Sequence, residues 1–243
     1  MNTQYKKDRW NGYDMLVFDL NDREVKLVCP REPRNDKKWL LKTEYMNAFP
    51  RFEIEMLSRG YYVANIENIT RWCKPEDTDA RAELCEFLAS EHNFCEKCVP
   101  VGLSCGGMQA VYFAAKYPGY VAALYLDAPV LNLLSCPCDL GMATSNLYAS
   151  YFKHMGVTVS ELLNFRNHPI DVADAIIMEG IPTILICGDS DHTVPYEENG
   201  MILAEKYRKT NIPFKEIIKK NCDHHPHSLE DPRPIIEFIE RYY

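Results

Sequence analysis

The sequence contains no apolar run that approaches the ~20 consecutive residues required by a membrane-spanning helix. Its first eight residues include Lys6, Lys7 and Asp8 and lack the apolar centre of a signal peptide. Internal repeats and low-complexity tracts are also absent. These absences favour a cytoplasmic globular protein that does not act at a membrane.

Basic residues are scarce relative to acidic ones, with 27 Lys and Arg against 35 Asp and Glu and a net charge of −8. No dense basic stripe is available to displace counterions, so we do not expect a nucleic-acid partner. The 47% hydrophobic and 26% charged residues are typical of a globular protein. The length of 243 residues predicts a single domain spanning residues 1–243. The sequence does not indicate an oligomeric state.

The ten cysteines do not form the pattern of a disulfide scaffold or a zinc ribbon. Their density lies below the ~8–10% typical of disulfide-rich chains. Cys95 and Cys98 form one Cys-x-x-Cys pair, but Cys136 and Cys138 have the wrong spacing to complete a common zinc site. We therefore predict reduced thiols that are mostly buried as small apolar groups.

Strand-like and helix-like segments alternate along the chain after an initial hairpin. The patterns predict strands at 13–20, 23–29, 61–66, 97–103, 121–127, 182–188 and 214–218, and helices at 44–60, 76–89, 106–117, 199–208 and 234–242. This order is typical of an α/β fold with a mostly parallel twisted sheet, helices on both faces and an antiparallel N-terminal hairpin. Active sites of such sheets lie at the carboxyl ends of the strands.

The stretch 131–180 is longer than a strand-to-strand crossover requires. It contains helix-like segments at 145–154 and 160–166. We interpret it as a small helical cap inserted over the strand ends.

A Gly-x-Ser-x-Gly motif occupies residues 102–106, between a predicted strand and a predicted helix. In this context Ser104 lies on a sharp turn, and the flanking glycines leave the crowded space free of side chains. The following N–H groups open a helix and can stabilise an oxyanion. The motif predicts Ser104 as a nucleophile and the N–H of Cys105 as an oxyanion donor. A nucleophilic Cys105 thiol is the less favoured alternative.

Two carboxylates follow the predicted strand 182–188, where one could orient a catalytic imidazole. Asp189 comes directly after the glycine and suits a turn. Asp191 lies further out and is the predicted acid. Asp127, at the end of the preceding strand, is an alternative acid or a loop-capping residue.

Three histidines follow the last predicted strand and compete for the role of the base. His224 is favoured over His225, and we expect His227 to support the site or cap a helix. Histidine suits the role because its ordinary pKa of ~6.5 allows proton exchange near neutral pH. The three histidines with Asp223 could ligate zinc, but no His-Glu-x-x-His helix supports metal catalysis, so we predict no metal.

The chain resembles the α/β-hydrolase superfamily at residues 102–106, 188–195 and 224–228. The acid loop of that family often reads Gly-x-x-Asp-x-x-Val-Pro, which aligns with Asp191. Its base loop often reads Gly-x-Gly-His, which aligns with His224. Other residues replace both glycines here, and this departure leaves His225 open as the base.

The resemblance extends over nearly the whole chain and is greatest to small bacterial hydrolases of the esterase-like or prolyl-oligopeptidase-like kind. It implies a serine hydrolase that cleaves a small ester through an acyl-enzyme intermediate, without a cofactor. A small cap favours a short-chain ester or an acetylated sugar. The alternatives are a serine peptidase, with Glu32 or Glu44 anchoring a peptide terminus, and a non-catalytic binding protein.

Many members of the superfamily carry His-Gly after the strand that supplies the second oxyanion donor. Here the strand 23–29 is followed by Pro30, which has no N–H. We therefore expect the backbone N–H of Arg31 to be that donor. Trp39 could stack on a sugar or acyl group, with His225 as another substrate contact, or Trp39 could be a buried anchor for its loop.

Overall fold

A mixed sheet of nine strands forms the centre of the computed structural model, which describes residues 4–243. The strands are β1 Lys6–Trp10, β2 Tyr13–Leu20, β3 Arg23–Cys29, β4 Trp39–Lys42, β5 Tyr62–Ile66, β6 Val99–Leu103, β7 Leu124–Asp127, β8 Thr183–Gly188 and β9 Phe214–Lys219. Their order in the sheet is β1-β2-β3-β5-β4-β6-β7-β8-β9. Strands β1 to β3 pair antiparallel, β3 pairs antiparallel with β5, and the remaining pairs are parallel. The predicted fold class is confirmed.

Helices cover both faces of this sheet. They are α1 Arg51–Ser58, α2 Pro75–His92, α3 Cys105–Lys116, α4 Tyr148–Met155, α5 Val159–Asn164, α6 Pro169–Met178, α7 Gly200–Arg208 and α8 Arg233–Tyr242. One core cluster joins the sheet to α2, α3, α6 and α7, and a second joins the other face to α1 and α8. Strands β4, β6, β7 and β8 are buried along their whole length, as expected for parallel strands covered on both faces. None of the helices within residues 4–243 is both long and apolar enough to cross a membrane.

The structure differs from the sequence predictions at the N-terminal half. Strands β1 and β4 were not predicted, because β1 is an exposed, highly charged edge strand and β4 has only four residues. The predicted helix 44–60 is wrong in its first half. Helix α1 begins at Arg51, directly after Pro50, and residues 43–50 form a loop in which Tyr45 and Phe49 have positive φ angles. Proline is tolerated at a helix start because the first N–H groups need no helical acceptor.

Helices α4 and α5 lie in the stretch that we interpreted as a cap. Helix α6 also lies within 131–180, but its buried Ile170, Ala173 and Ile176 belong to the main core cluster. It packs against α3 and α7. The inserted segment outside the main helical layer therefore ends before α6.

The direction of each strand divides the loops between two edges of the sheet. The parallel strands β4 to β9 place their carboxyl ends at one edge, which we call the carboxyl edge. Strand β3 runs the other way, and the pairing of Val28 with Val63 places its end beside the start of β5. The loop after β3 consequently lies at the opposite edge.

Candidate active site

Ser104 occupies a strained turn between β6 and α3, with φ 53° and ψ −119°. Its N–H donates to the Asp127 carbonyl at 2.9 Å. The turn is so tight that a Cβ on Gly102 would lie 2.6 Å from the Gly106 carbonyl oxygen and from the Gly107 Cα. Only glycine therefore fits at 102, and the turn presents the Ser104 hydroxyl at the carboxyl edge.

A continuous chain of hydrogen bonds joins Ser104, His224 and Asp191. The Ser104 Oγ lies 2.9 Å from His224 Nε2, and His224 Nδ1 lies 2.8 Å from Asp191 Oδ2. The second oxygen of Asp191 accepts the backbone N–H groups of Thr193 and Val194 at 2.9 and 2.8 Å. A carboxylate facing Nδ1 holds the proton there, which leaves the Nε2 lone pair to accept the serine proton.

Asp127 binds a different histidine. Its Oδ1 accepts from His227 Nδ1 at 2.7 Å, and its Oδ2 accepts from the Ser228 N–H at 2.8 Å and from the Tyr125 hydroxyl at 3.2 Å. The Asp127 carboxylate is completely buried. Asp127 thus fixes the loop that carries the histidines, whereas Asp191 contacts the histidine that reaches Ser104.

Asp189 has the turn role that its position predicted. It accepts the backbone N–H of Asn221 at 2.7 Å and the Ser190 hydroxyl at 3.0 Å. The bond from Asn221 ties the acid loop to the base loop.

The rings of His224, His225 and His227 form a compact group, with centroids 4.8–4.9 Å apart. His225 is the exposed member and stacks on Phe49 at 5.5 Å. Burial, followed by the neighbouring His227 and His224, lowers the pKa of His225 below its ordinary value. One ring nitrogen from each of the three lies within 4.8 Å of the other two, so small movements of the rings would let them share a metal ion.

Cys105 begins α3, so its N–H has no carbonyl four residues earlier in the helix to bind. This N–H is therefore available beside the Ser104 hydroxyl. The Cys105 side chain is buried, and burial raises the pKa of its thiol. A raised pKa disfavours the thiolate and hence a cysteine nucleophile.

The prediction that Arg31 donates to the oxyanion is wrong. Arg31 follows β3, whose antiparallel direction places it at the edge opposite Ser104. Its exposed guanidinium lies 5.4 Å from the centre of the Tyr13 ring. Glu32 shares this loop, which excludes it as a peptide anchor at the site.

Trp39 is also wrongly predicted as a substrate contact. It begins β4 at the same opposite edge, where it pairs with Tyr62, and it is completely buried. Its Nε1 donates to the Cys95 carbonyl at 3.0 Å. Trp39 is therefore a buried anchor, the second interpretation that its sequence allowed.

The loop after β4, residues 43–48, lies beside Ser104, and only Glu44 within it was predicted from the sequence as a candidate site residue. A Cβ on Gly106 would lie 3.1 Å from both Glu44 Cβ and Thr43 Oγ1. Burial and the neighbouring Cys105 raise the pKa of Tyr45 above its ordinary value, while Arg71 opposes this shift. The Tyr45 hydroxyl thus lies near Cys105 and is protonated at neutral pH. Recognition of β4 as a parallel strand would have identified this loop.

Glu44 in the same loop is already hydrogen bonded. Its Oε2 accepts from Asn68 Nδ2 at 2.7 Å and from Gln109 Nε2 at 2.8 Å. Glu44, Tyr45 and Arg71 line a polar cavity of about 390 Å³. A carboxylate in such a cavity can attract a cationic group.

Two apolar features lie around helix α3, which follows Ser104. Cys105 belongs to a buried cluster that also contains Val130, Leu133, Cys136 and Val194. Beyond it, an apolar cavity of about 630 Å³ lies between α2, α3, α4 and α6. None of Ser104, Asp191 and His224 lines that cavity.

Comparisons with known proteins support the superfamily. The model of the prolyl oligopeptidase family matches residues 58–243. Among solved structures, a puromycin hydrolase is 16% identical with a TM-score of 0.70, and the alignment covers 98% of this chain but 38% of that one. An acetyl xylan esterase from Paenibacillus sp. R4 is 14% identical with a TM-score of 0.66, covering 100% of this chain and 89% of that one.

A monoacylglycerol lipase from Paleococcus ferrophilus is 14% identical with a TM-score of 0.59, covering 90% of this chain and 99% of that one. At these identities the neighbours show the α/β-hydrolase fold. This chain spans 38% of the length of the puromycin hydrolase.

Proposed function

We propose that this chain, which belongs to the prolyl oligopeptidase family, is a serine hydrolase that cleaves small esters through an acyl-enzyme intermediate. The hydrogen-bonded chain from Ser104 through His224 to Asp191 is the observation that carries the proposal. Nucleophile, base and orienting acid each follow a parallel strand and meet at the carboxyl edge, in the chain order Ser, Asp, His.

In the proposed mechanism, Ser104 Oγ attacks the ester carbonyl while His224 Nε2 accepts the hydroxyl proton. The Asp191 carboxylate keeps the Nδ1 proton in place and stabilises the imidazolium. His224 then protonates the leaving alcohol as the C–O bond breaks, which leaves Ser104 acylated. Water, deprotonated by His224, attacks the acyl group and releases the acid, and the proton returns to Ser104.

The tetrahedral oxyanion would be stabilised by the N–H of Cys105 and the hydroxyl of Tyr45. Both groups border the Ser104 turn, and the raised pKa of Tyr45 keeps its hydroxyl a donor. Loss of one oxyanion donor typically costs about 3 kcal/mol of barrier.

The substitution Tyr45→Phe tests this donor. We expect kcat to fall about 100-fold with little change in KM, because the lost bond would form only with the oxyanion. Tyr112→Phe is the matched control, since the Tyr112 hydroxyl donates to the Asn167 carbonyl at the edge of the apolar cavity. A kcat for Tyr45→Phe within threefold of the control would remove Tyr45 from the oxyanion site.

Two observations support a small ester as substrate. Cys105 lies in an apolar cluster that includes Val130, Cys136 and Val194, and apolar surroundings next to the nucleophile suit a short acyl group. The alignment covers most of the acetyl xylan esterase but little more than a third of the puromycin hydrolase. The second candidate is a peptidase that binds a terminal amine, which Glu44 in its polar cavity favours.

The central experiment is labelling with a fluorophosphonate, which reacts with activated serines. We expect labelling of the wild type, no labelling of Ser104→Ala, and normal labelling of Ser190→Ala, a serine in the neighbouring acid loop. Absence of wild-type labelling would favour a non-catalytic binding protein. Persistent labelling of Ser104→Ala would place the nucleophile elsewhere.

A paired substrate assay separates ester from peptide chemistry. We expect p-nitrophenyl acetate to be hydrolysed with a kcat/KM at least tenfold above that of an aminoacyl p-nitroanilide. The reverse order, lost in Glu44→Gln, would assign the peptidase function.

A further inference from the structure

We infer that His224, His225 and His227, here called the histidine cluster, bind a zinc ion that inhibits the enzyme by occupying its catalytic base. One ring nitrogen of each histidine lies within 4.8 Å of the other two. The rings are inclined to one another by 61–88°, so no two of them are stacked. Three imidazole nitrogens would fill three of the four positions of a tetrahedral zinc site, which leaves the fourth position for water.

Two of the three imidazoles are already oriented as zinc ligands usually are. His224 Nδ1 faces Asp191 at 2.8 Å, and His227 Nδ1 faces Asp127 at 2.7 Å. A metal-binding histidine almost always donates its other N–H to such an acceptor, which fixes the tautomer and raises the basicity of the ligating nitrogen. Both carboxylates thus leave an Nε2 lone pair for the metal.

His225 supplies the third ligand and the access route. It is the only exposed member of the cluster, so a hydrated ion can reach it first. Zn–N bonds of ~2.0–2.1 Å in a tetrahedral site place the nitrogens about 3.3 Å apart, so the rings must approach by up to about 1.5 Å. His225 is exposed and held on one side by the Phe49 ring, so it is the member with room to move.

Zinc bound to the histidine cluster would stop catalysis because it would occupy the Nε2 atom of His224. Zinc at His224 Nε2 takes the lone pair that otherwise accepts the Ser104 proton. The serine then has no base, and acylation stops. This inhibition, unlike the binding itself, rests on the proposed function. It also differs from zinc catalysis, because a chelator restores activity instead of abolishing it.

Titration calorimetry with zinc chloride tests the binding. The metal-free wild type is compared with His225→Gln and with His192→Gln, an exposed histidine beside Asp191 that lies outside the cluster. All three proteins keep the ten cysteines, so zinc bound by thiols contributes equally. We expect His225→Gln to bind the inhibitory zinc at least tenfold more weakly, and His192→Gln to match the wild type. Equal affinity of His225→Gln and wild type, or no binding by the wild type, would overturn the site.

Fluorophosphonate labelling with and without zinc tests the inhibition. We expect zinc at saturation to slow labelling of the wild type and His192→Gln at least tenfold, and EDTA to restore it. Zinc at the same concentration should slow His225→Gln much less. Zinc that binds without slowing the wild type would refute inhibition. A wild type that is never labelled would instead refute the proposed function, and the calorimetry would still decide whether the cluster binds zinc.

Discussion

Two Asp–His pairs lie side by side at the carboxyl edge and differ in what the histidine reaches. In both, the histidine Nδ1 faces a buried carboxylate, at 2.8 Å for Asp191 and His224 and at 2.7 Å for Asp127 and His227. Both histidines belong to the loop after β9. His224 Nε2 reaches Ser104, however, whereas Asp127 gathers three donors that fix the loop itself. A carboxylate–imidazole pair thus acts as a catalytic base only where the imidazole also reaches a nucleophile.

The largest predicted effect comes from making the same substitution in both pairs. An asparagine can still bind the histidine if the ring proton moves from Nδ1 to Nε2. In Asp191→Asn this tautomer leaves His224 unable to accept the Ser104 proton, so we expect kcat for p-nitrophenyl acetate to fall about 10³- to 10⁴-fold. In Asp127→Asn the tautomer of His227 changes without touching Ser104, and we expect kcat within tenfold of wild type.

Steady-state kinetics of the two variants, with folding checked by circular dichroism, decides this comparison. If Asp191→Asn kept nearly full activity while Asp127→Asn was folded but inactive, Asp127 would be the catalytic acid instead.

Asp191 and His224, the pair that reaches Ser104, could be predicted from the sequence because short sequence patterns indicate all three residues. The glycines around Ser104 and the positions of Asp191 and His224 after strands are visible in short windows, and parallel strands bring their carboxyl ends together. The partner of Asp127 was not predicted, since His227 lies 100 residues away and nothing near Asp127 indicates which side chain it binds.

Long-range pairing also explains the incorrect assignments. Arg31 was assigned to the site because the strand 23–29 was equated with the strand that precedes His-Gly in the superfamily, and Trp39 because it follows the same loop. Only the antiparallel pairing of β3 with β5, together with the four-residue β4, places them at the opposite edge. The direction of a strand depends on its neighbours, so the loop containing Tyr45 could not be identified from local pattern alone.

For stability we expect the opposite order, with Asp127 contributing more to the free energy of unfolding than Asp191. Asp127→Ala leaves the His227 ring N–H, the Ser228 N–H and the Tyr125 hydroxyl without an acceptor in a buried site. Unsatisfied buried donors cost about 1–3 kcal/mol each, so we expect the free energy of unfolding to fall by about 4 kcal/mol. Asp191→Ala also removes the acceptor of three donors, but those of His224 and Thr193 lie closer to solvent, where water can replace the carboxylate, so we expect a fall of about 2 kcal/mol. Urea denaturation measures both values, and equal losses would contradict a structural role specific to Asp127.

The smallest predicted effect isolates one bond of the structural pair. Tyr125→Phe removes the hydroxyl that donates to Asp127 Oδ2 at 3.2 Å and keeps the ring, which packs edge-on against Phe52 at 5.2 Å. Asp127 keeps its bonds from His227 and Ser228, so we expect the free energy of unfolding to fall by only about 1 kcal/mol. Because neither Ser104 nor His224 loses a partner, kcat and KM should stay within twofold of wild type. A fall in kcat without a fall in stability would mean that the Asp127 pair acts on catalysis through the position of His224, and the two pairs would then have to be treated as one unit.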